Sequence, residues 1–326
     1  MFEITTYQLF ILASGAILFG LYLLIKGGDL TIDAAVYVAE KTGLSPLFIG
    51  ATIISFGTSV PELFTSVNAN LSGFPGISLG NVLGSNVANI LLVLGATAMI
   101  LPITATRKEL AKDMSMMLLA TAILVGGMYM GVISTVYGLI MFAILAGFVF
   151  YQYKTDNIDL EVEEDDDDGA GIASMQAALL ILLGGLVALA VGSELLVQGA
   201  VAAGTAIGVP EAIIGMTVVA FGTSLPELST CIAAARKQSL GLILGNIIGS
   251  NTFNILSIVA LTAIIKPLQV DPVLMGMEMW TTVIVSVVFA GWMLTVGKLT
   301  KPIGAAMLLA YVVFIAAQYI APQMIA

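Results

Sequence analysis

Histidine is absent from the 326-residue chain, and cysteine occurs once, at Cys231. Without imidazole, the commonest general base and the commonest metal ligand are both missing. That argues against zinc chemistry and against a Ser-His hydrolase. A lone cysteine excludes an intrachain disulfide; Cys231 stands in an apolar stretch and is expected to be a small core residue. Charge is scarce too. Asp, Glu, Lys and Arg supply 10% of the residues, where a soluble domain carries about a quarter. With 59% hydrophobic residues and a mean hydropathy of +1.06, this deficit describes a chain embedded in a lipid bilayer. The net charge of −10 is inflated by one acidic run and says little about partners. No cofactor, nucleic acid or obligatory protein partner is expected.

A bilayer-spanning helix needs about 20 mainly apolar residues. Ten such spans are predicted, at 7–26, 45–71, 77–101, 111–129, 131–152, 173–193, 210–235, 241–265, 276–297 and 301–321. Residues 27–44 and 192–209 are less apolar, and either extend the first and sixth spans as tilted helices or lie at an interface. The opening MFEITTYQLF has no basic region before its apolar run, so it reads as the first span and not as a cleaved signal peptide. With both termini outside, the cytoplasmic connections hold Lys26, Lys41, Arg107, Lys108, Lys112, Lys154, Arg236, Lys237, Lys298 and Lys301, and the outer ones only Lys266. That bias fits the positive-inside rule. No large regulatory domain or transit peptide is visible, which suggests a prokaryotic plasma (inner) membrane.

The chain repeats itself. GTSVPEL at 57–63 recurs as GTSLPEL at 222–228, and GNVLGSNVANIL at 80–91 as GNIIGSNTFNIL at 245–256, at one offset of 165 residues. From Gly57 to Leu91, 18 of 35 positions are identical to their mates, too many for chance. Each half holds five predicted spans. Five is odd, so the halves must lie in opposite orientations. The expected fold is an all-α membrane protein of ten transmembrane helices in two inverted-topology five-helix repeats. The repeats cover 1–152 and 173–326, joined by an acidic cytoplasmic loop at 153–172.

The repeated motifs place polar groups inside apolar spans. Pro61 has no N–H, so the Gly57 carbonyl loses its helical partner, and the ring opens the preceding turn. Exposed carbonyls at membrane depth are tolerated only where protein or a polar cavity satisfies them. Thr58, Ser59 and Glu62 can share one face of that helix. Gly222, Thr223, Ser224, Pro226 and Glu227 repeat the arrangement. An ionisable residue at mid-span costs at least a few kcal/mol and marks function by default, with a protonated, hydrogen-bonded glutamate as the plainer alternative. Spans 3 and 8 carry polar stripes at four-residue spacing: Asn81, Ser85, Asn89 and Asn246, Ser250, Asn254. Ser85, Asn89, Ser250 and Asn254 read as ion contacts, and Asn86 and Asn251 as structural. The neighbouring stripes Gly76, Gly80, Gly84 and Gly241, Gly245, Gly249 suit close helix packing.

The combined set offers two carboxylates, several hydroxyls, amide oxygens and freed carbonyls. Hard oxygen ligands suit Ca²⁺, Mg²⁺, Mn²⁺ or Na⁺, and a dry site built by two broken helices favours Ca²⁺ over the tightly hydrated Mg²⁺. Two ionised glutamates are neutralised by one Ca²⁺, by two Na⁺ or by two protons. An empty, unpaired site would be expensive to carry across the bilayer, and that penalty enforces exchange over leak.

The paired GTSxPE and GNxxGSNxxN blocks resemble the alpha repeats of the calcium/cation antiporter superfamily, in particular the prokaryotic sodium/calcium exchangers, over nearly the whole chain. The resemblance implies alternating access by two gating helices, spans 1 and 6, sliding against a rigid bundle. It implies Ca²⁺ and Na⁺ as transported ions. It implies as ligands the carboxylates of Glu62 and Glu227, carbonyl and hydroxyl oxygens of Thr58 and Thr223, hydroxyls of Ser59, Ser224, Ser85 and Ser250, backbone carbonyls of Ser55 and Ala220, and Asn89 as a polar contact at the centre. Many sodium/calcium exchangers have an aspartate where this chain has Asn254, so the Na⁺ stoichiometry is open and H⁺/Ca²⁺ (or other divalent cation) antiport is the alternative. A cation channel is the more distant reading. An intramembrane enzyme fits poorly with the missing histidine.

Residues 156–168 include Asp156, Asp159, Glu161, Glu163, Glu164 and Asp165 to Asp168. Like charges in a run repel one another and stay solvated, and the spaced glycine-containing loop of an EF-hand is missing. The run reads as a linker and not as a Ca²⁺ sensor. Replacing Asp165–Asp168 by serine should therefore leave ion transport near normal; loss of Ca²⁺ activation in vesicle uptake would contradict this.

Overall fold

The computed structural model of the protein describes residues 6–155, 172–206 and 222–325. Most of the acidic loop, the first half of the seventh predicted span, and Ala220 lie outside the described residues. Among the described residues, eight helices are long and apolar enough to cross a membrane, or nine if a bent pair counts as one span. The eight are α1 (Thr6–Thr42), α4 (Pro75–Ile100), α5 (Arg107–Tyr129), α6 (Thr135–Thr155), α7 (Met175–Ala206), α9 (Leu240–Ile265), α10 (Met277–Thr295) and α11 (Lys301–Ile325); the bent pair is α2 (Pro46–Thr58) and α3 (Val60–Leu71), and the 12-residue α8 (Leu225–Arg236) is too short to be counted with them. The less apolar stretch after Lys26 proves to be helix: α1 runs unbroken to Thr42, and α7 likewise runs on to Ala206.

The breaks fall where the prolines stand. Ser59 leaves helical geometry at φ −84°, ψ 4°, Pro61 occupies the first turn of α3, and the two pieces bend by 44°. Ser224 does the same at φ −87°, ψ 3°, with Pro226 opening α8. Proline is tolerated in a first helical turn, where its missing N–H would have no partner anyway. Each break thus creates a helix N-terminus deep in the molecule, with Glu62 or Glu227 in its first turn. Wide π-helical turns lie close by, at Gly50–Ile54, Asn89–Leu94 and Asn254–Val259.

Equivalent residues of the two halves meet reciprocally. Short strands β1 (Ile103–Thr104), β2 (Val132–Ile133), β3 (Leu268–Gln269) and β4 (Lys298–Leu299) form two antiparallel pairs. In β1–β4 Ile103 opposes Leu299, and in β2–β3 Ile133 opposes Leu268. Leu268 is the 165-residue mate of Ile103, and one inserted residue makes Leu299 the 166-residue mate of Ile133. The tight turns into β2 and β4 rest on Gly131 and Gly297 at φ +75° and +67°, a conformation that disfavours any side chain. Helix α5, 23 residues and roughly 35 Å long, separates the two strand pairs. The core obeys the same exchange. Leu244, Ile247 and Ile248 pack with Ile90, Val93 and Leu94 in one cluster; their mates Leu79, Val82, Leu83, Ile255, Ile258 and Val259 pack together in the other.

Small residues let the backbones touch. α1 and α7 cross where a Cβ on Gly20 would lie 2.6 Å from the Gly192 carbonyl, and one on Gly27 2.9 Å from the Gly185 carbonyl. The glycine stripe of α9 seats α2: a Cβ at Gly245 would stand 2.9 Å from the Ala51 nitrogen, and one at Gly249 2.5 Å from the Ala51 carbonyl. Lipid supplies no hydrophobic force between helices, so this close packing is what holds them. Gly245→Ala should therefore force α2 and α9 apart and cost about 1–3 kcal/mol, the range for overpacking; a thermal-denaturation midpoint in detergent unchanged from the parent would refute the close contact.

Candidate cation site

Both glutamates are buried, Glu62 at 1% exposure and Glu227 at 0%. The Glu227 carboxylate gathers hydroxyls from both halves. Ser59 Oγ lies 3.4 Å from Glu227 Oε1, and the hydroxyls of Thr58 and Ser250 are within reach of the same carboxylate. Thr58 and Ser250 also each stand 3.4 Å from the amide oxygen of Asn246.

Behind these groups sits a supporting layer with the same exchange symmetry. Asn81 donates to the Glu62 carbonyl (3.2 Å) and to Ser66 Oγ (3.0 Å). Its mate Asn246 donates to Thr230 Oγ1 (2.8 Å) and more weakly to Cys231 Sγ (3.5 Å), Cys231 being the mate of Ser66. Thr230 in turn donates to the Glu227 carbonyl at 3.0 Å. Cys231 is thus the core residue expected, with a polar contact as well.

At the crossing of α4 and α9, four asparagines form a closed set. Asn86 and Asn251 each donate to the other's backbone carbonyl at 3.3 Å. Asn89 donates to Asn251 Oδ1 at 3.1 Å, and Asn254 to Asn86 Oδ1 at 3.0 Å. The reading of Asn86 and Asn251 as structural therefore gains content: they hold the NH₂ groups of Asn89 and Asn254, leaving those two amide oxygens free to face elsewhere.

Other residues singled out from the sequence divide into groups. Ser85 and Thr223 line the same cavity of about 100 Å³, with Asn81, Tyr311, Phe314 and Gln318. Ser224 is buried at 1% exposure. The Ser55 carbonyl accepts the Ser59 N–H at 3.1 Å, and its hydroxyl bridges the halves to the Asn246 carbonyl at 2.9 Å. The carbonyl freed by Pro226, that of Gly222, is not left to a cargo ion alone: Ser193 Oγ of α7 donates to it at 2.6 Å. Sequence reasoning missed Ser193, because its mate is Gly28 and no repeat marks it. Ser66 and Thr230 were missed too, although their place one turn after each glutamate, toward the asparagine stripe, could have flagged them.

A cation fits this set by what the protein leaves unsatisfied. Glu62 Oε2, Glu227 Oε2, Asn89 Oδ1, Asn254 Oδ1 and Ser224 Oγ are buried without a hydrogen-bond partner among the described residues. Such groups cost about 1–3 kcal/mol each, and more when charged. The two amide oxygens, and both carboxylates when ionised, can only accept, so a positive charge would answer them. Among the described residues no three acidic, cysteine or histidine side chains cluster; the site pairs two carboxylates with neutral oxygens.

The sodium/calcium exchanger protein family matches residues 12–154 and 177–320, one block in each half. The chain belongs to that family. It is 32% identical over 289 residues to the inner membrane protein YrbG of Escherichia coli, covering 86% of this chain and 88% of that one. It is 26% identical over 349 residues to the sodium/calcium exchanger MaX1 of Methanosarcina acetivorans, covering 92% and 96%. A solved structure of the sodium-calcium exchanger NCX_Mj, soaked with Na⁺ and Sr²⁺, superposes with a TM-score of 0.82 at 34% identity, over 94% of this chain and 99% of that one. Membership makes the chain an integral membrane transporter of the cation-antiporter kind.

If Asn86 orients its neighbours, Asn86→Ala should release the Asn254 amide and weaken cation binding about tenfold, the lower end of the cost of losing an outer-layer partner. Calorimetric titration of the detergent-solubilised protein with Ca²⁺ reads this directly; an unchanged affinity in a folded variant would show that the lock is dispensable.

Proposed function

We propose that the protein exchanges Ca²⁺ for Na⁺ across the membrane by alternating access, with the ions held between the halves by Glu62, Glu227, Thr58, Thr223, Ser59, Ser224, Ser85, Ser250, Asn89, Asn254 and carbonyls including Ser55 and Ala220. The observation that carries this reading is that five of the predicted ligand oxygens, from both halves and with both carboxylates among them, are buried without a hydrogen-bond partner among the described residues. The oxygen spacings agree. Ser59 Oγ and Glu227 Oε1 stand 3.4 Å apart, long for an O–H···O hydrogen bond. Two oxygens each at ~2.4 Å from one Ca²⁺ and at right angles would be about 3.4 Å apart.

The architecture we infer is ten spans in two inverted five-span halves, joined by the acidic segment, with both termini outside and an inner-membrane location in a prokaryote. Several observations support it. The two strand pairs sit at opposite ends of α5. Lys298 lies at one end, beside Arg107 and Lys108; Lys266 lies at the other, where its ammonium and carbonyl bond Asn70 at 3.0 and 2.8 Å. Access also differs between the ends. The cavity bordered by Tyr311, Phe314 and Gln318 is about 100 Å³; their 166-residue mates Leu145, Phe148 and Gln152, with Gly249, border one of about 10 Å³. A larger cavity of about 830 Å³ opens on the basic face, bordered by Lys108, Lys112, Asp113 and Gln152, and it shares Asp113 and Gln152 with the 10 Å³ space; we read this as one end reaching Ser85 and Thr223 and the other ending short of the candidate ligands. Spans 1 and 6, α1 and α7, would be the gating pair.

The test is radioactive Ca²⁺ uptake into proteoliposomes preloaded with Na⁺, with K⁺, or with a pH gradient alone. Uptake driven only by outward Na⁺, and lowered at least a hundredfold (~3 kcal/mol for an acceptor lost to a bound charge) by Glu62→Gln and by Glu227→Gln, is the expected result. Uptake driven by protons alone would move the coupling ion to H⁺, and single-channel current steps would replace the antiporter by a channel.

A further inference from the structure

The gating pair is held to the seventh span by polar contacts that have no counterpart at the second span. Ser193 Oγ of α7 donates to the Gly222 carbonyl at 2.6 Å. Ser229 Oγ of α8 donates to the Leu24 carbonyl of α1. At the end of α8, Arg236 pairs with Asp29 of α1 at 3.5 Å, and Lys237 pairs with Asp33.

The 165-residue mates of these pairs are Gly28 with Gly57, Phe64 with Leu189, Leu71 with Glu194, and Ser72 with Gln198. None can make the equivalent bond. Gly28 has no hydroxyl, Phe64 no donor, and Leu71 and Ser72 carry no positive charge. Glu194 instead accepts from Gln198 of its own helix at 2.9 Å. If an inverted repeat changes its open face by exchanging the conformations of its halves, all four contacts are made in one state and lost in the other.

The shut passage, the narrow space next to the wide cavity of the basic face and sharing Asp113 and Gln152 with it, lies on the side of these contacts. Its lining residue Gln152 is three residues from Thr155, which Lys112 contacts on the basic face. There Gln152 donates to the buried Asp113. The open cavity holds Gln318, the mate of Gln152, at the far end of α11 from Lys301.

We propose that Asp29, Asp33, Ser193, Ser229, Arg236 and Lys237 form a latch that keeps the face bearing Arg236 and Lys237 closed in the ion-free exchanger, and so set how often the site opens there. This rests on the alternating-access reading above. Each ion pair is half-exposed and weak by itself. The latch works because it biases one state only: a contact shifts an equilibrium by the difference between what it supplies in the two states.

Phe148 and Phe314 are mates lining the shut and the open passage, and as Phe148→Cys and Phe314→Cys they report access to membrane-impermeant maleimide from each side of oriented proteoliposomes; native Cys231 is fully buried. In the absence of Na⁺ and Ca²⁺, the combined change Arg236→Gln and Lys237→Gln should raise labelling of Phe148→Cys from the basic face about fivefold, what two half-exposed ion pairs can supply, and slow labelling of Phe314→Cys. The charge swap Asp29→Arg with Arg236→Asp should restore the parent rates, and choline chloride at high concentration should mimic the loss on the unaltered latch by screening it. Labelling that switches with Na⁺ and Ca²⁺ yet ignores the latch variants and choline chloride would overturn the latch and keep alternating access. Labelling of both positions from the same side under every ion condition would overturn both.

Discussion

Everything in this fold answers to two carboxylates held where water is scarce. A charge buried in a membrane protein is stable only when something of opposite sign, or a set of oriented dipoles, meets it. Glu62 and Glu227 sit in the first turns of helices that begin inside the bundle, and a helix N-terminus favours negative charge. Those helices begin there because Pro61 and Pro226 break the spans. The broken backbone then needs partners of its own, since lipid offers none. Ser193 on the Gly222 carbonyl and Asn81 on the Glu62 carbonyl are part of that answer. With those carbonyls partnered, Glu62 Oε2 and Glu227 Oε2 still have no hydrogen-bond partner among the described residues, which is what the proposed cation would answer.

On the proposed alternating-access reading, a site shared by two halves changes its open face without coming apart. The reciprocal contacts show which parts are suited to stay fixed. The asparagine set, the two strand pairs and the two core clusters each use mates from both halves in equal measure. Exchanging the conformations of the halves would leave such contacts nearly unchanged. The glycine crossings of α1 with α7 are likewise self-matched, Gly20 on Gly192 and Gly27 on Gly185, so this pair can move as one body. Symmetry is broken where that body meets the seventh span, through the contacts of Ser193, Ser229, Arg236 and Lys237.

Much of this was legible in the amino-acid order, for a reason that can be stated. A proline two residues past a glycine-containing turn, with a glutamate beside it, is a local signal, and its repetition at one offset turns it into an architectural one. The helix breaks, the burial of both glutamates and the polar stripes follow from spacing alone. The extension of α1 to Thr42 and of α7 to Ala206 was undecided from composition because their ends carry charge; the structure shows Asp29 and Asp33 facing Arg236 and Lys237, a contact between segments 200 residues apart that no window of sequence displays. The fate of the freed Gly222 carbonyl was hidden likewise. Proline chemistry predicts that it loses its helical donor, but only packing decides whether an ion or a serine takes the place.

The amide at Asn254 shows how the supporting layer limits the charge of the site. Its NH₂ donates to Asn86 Oδ1 at 3.0 Å, while its own oxygen is free. An ionised aspartate there has no proton to donate, and would set a carboxylate oxygen against the Asn86 amide oxygen in a buried position, an arrangement that costs both a hydrogen bond and a repulsion. Asn89 is tied to Asn251 Oδ1 by the same logic. So long as Asn86 and Asn251 present their oxygens to these two positions, both must be donors, and the negative charge of the site is confined to Glu62 and Glu227. On the proposed reading, the lock that orients these neutral oxygens would also set the site's charge at a value one divalent or two monovalent cations would neutralise, and the choice of counter-ion would fall to the neutral oxygens around the carboxylates.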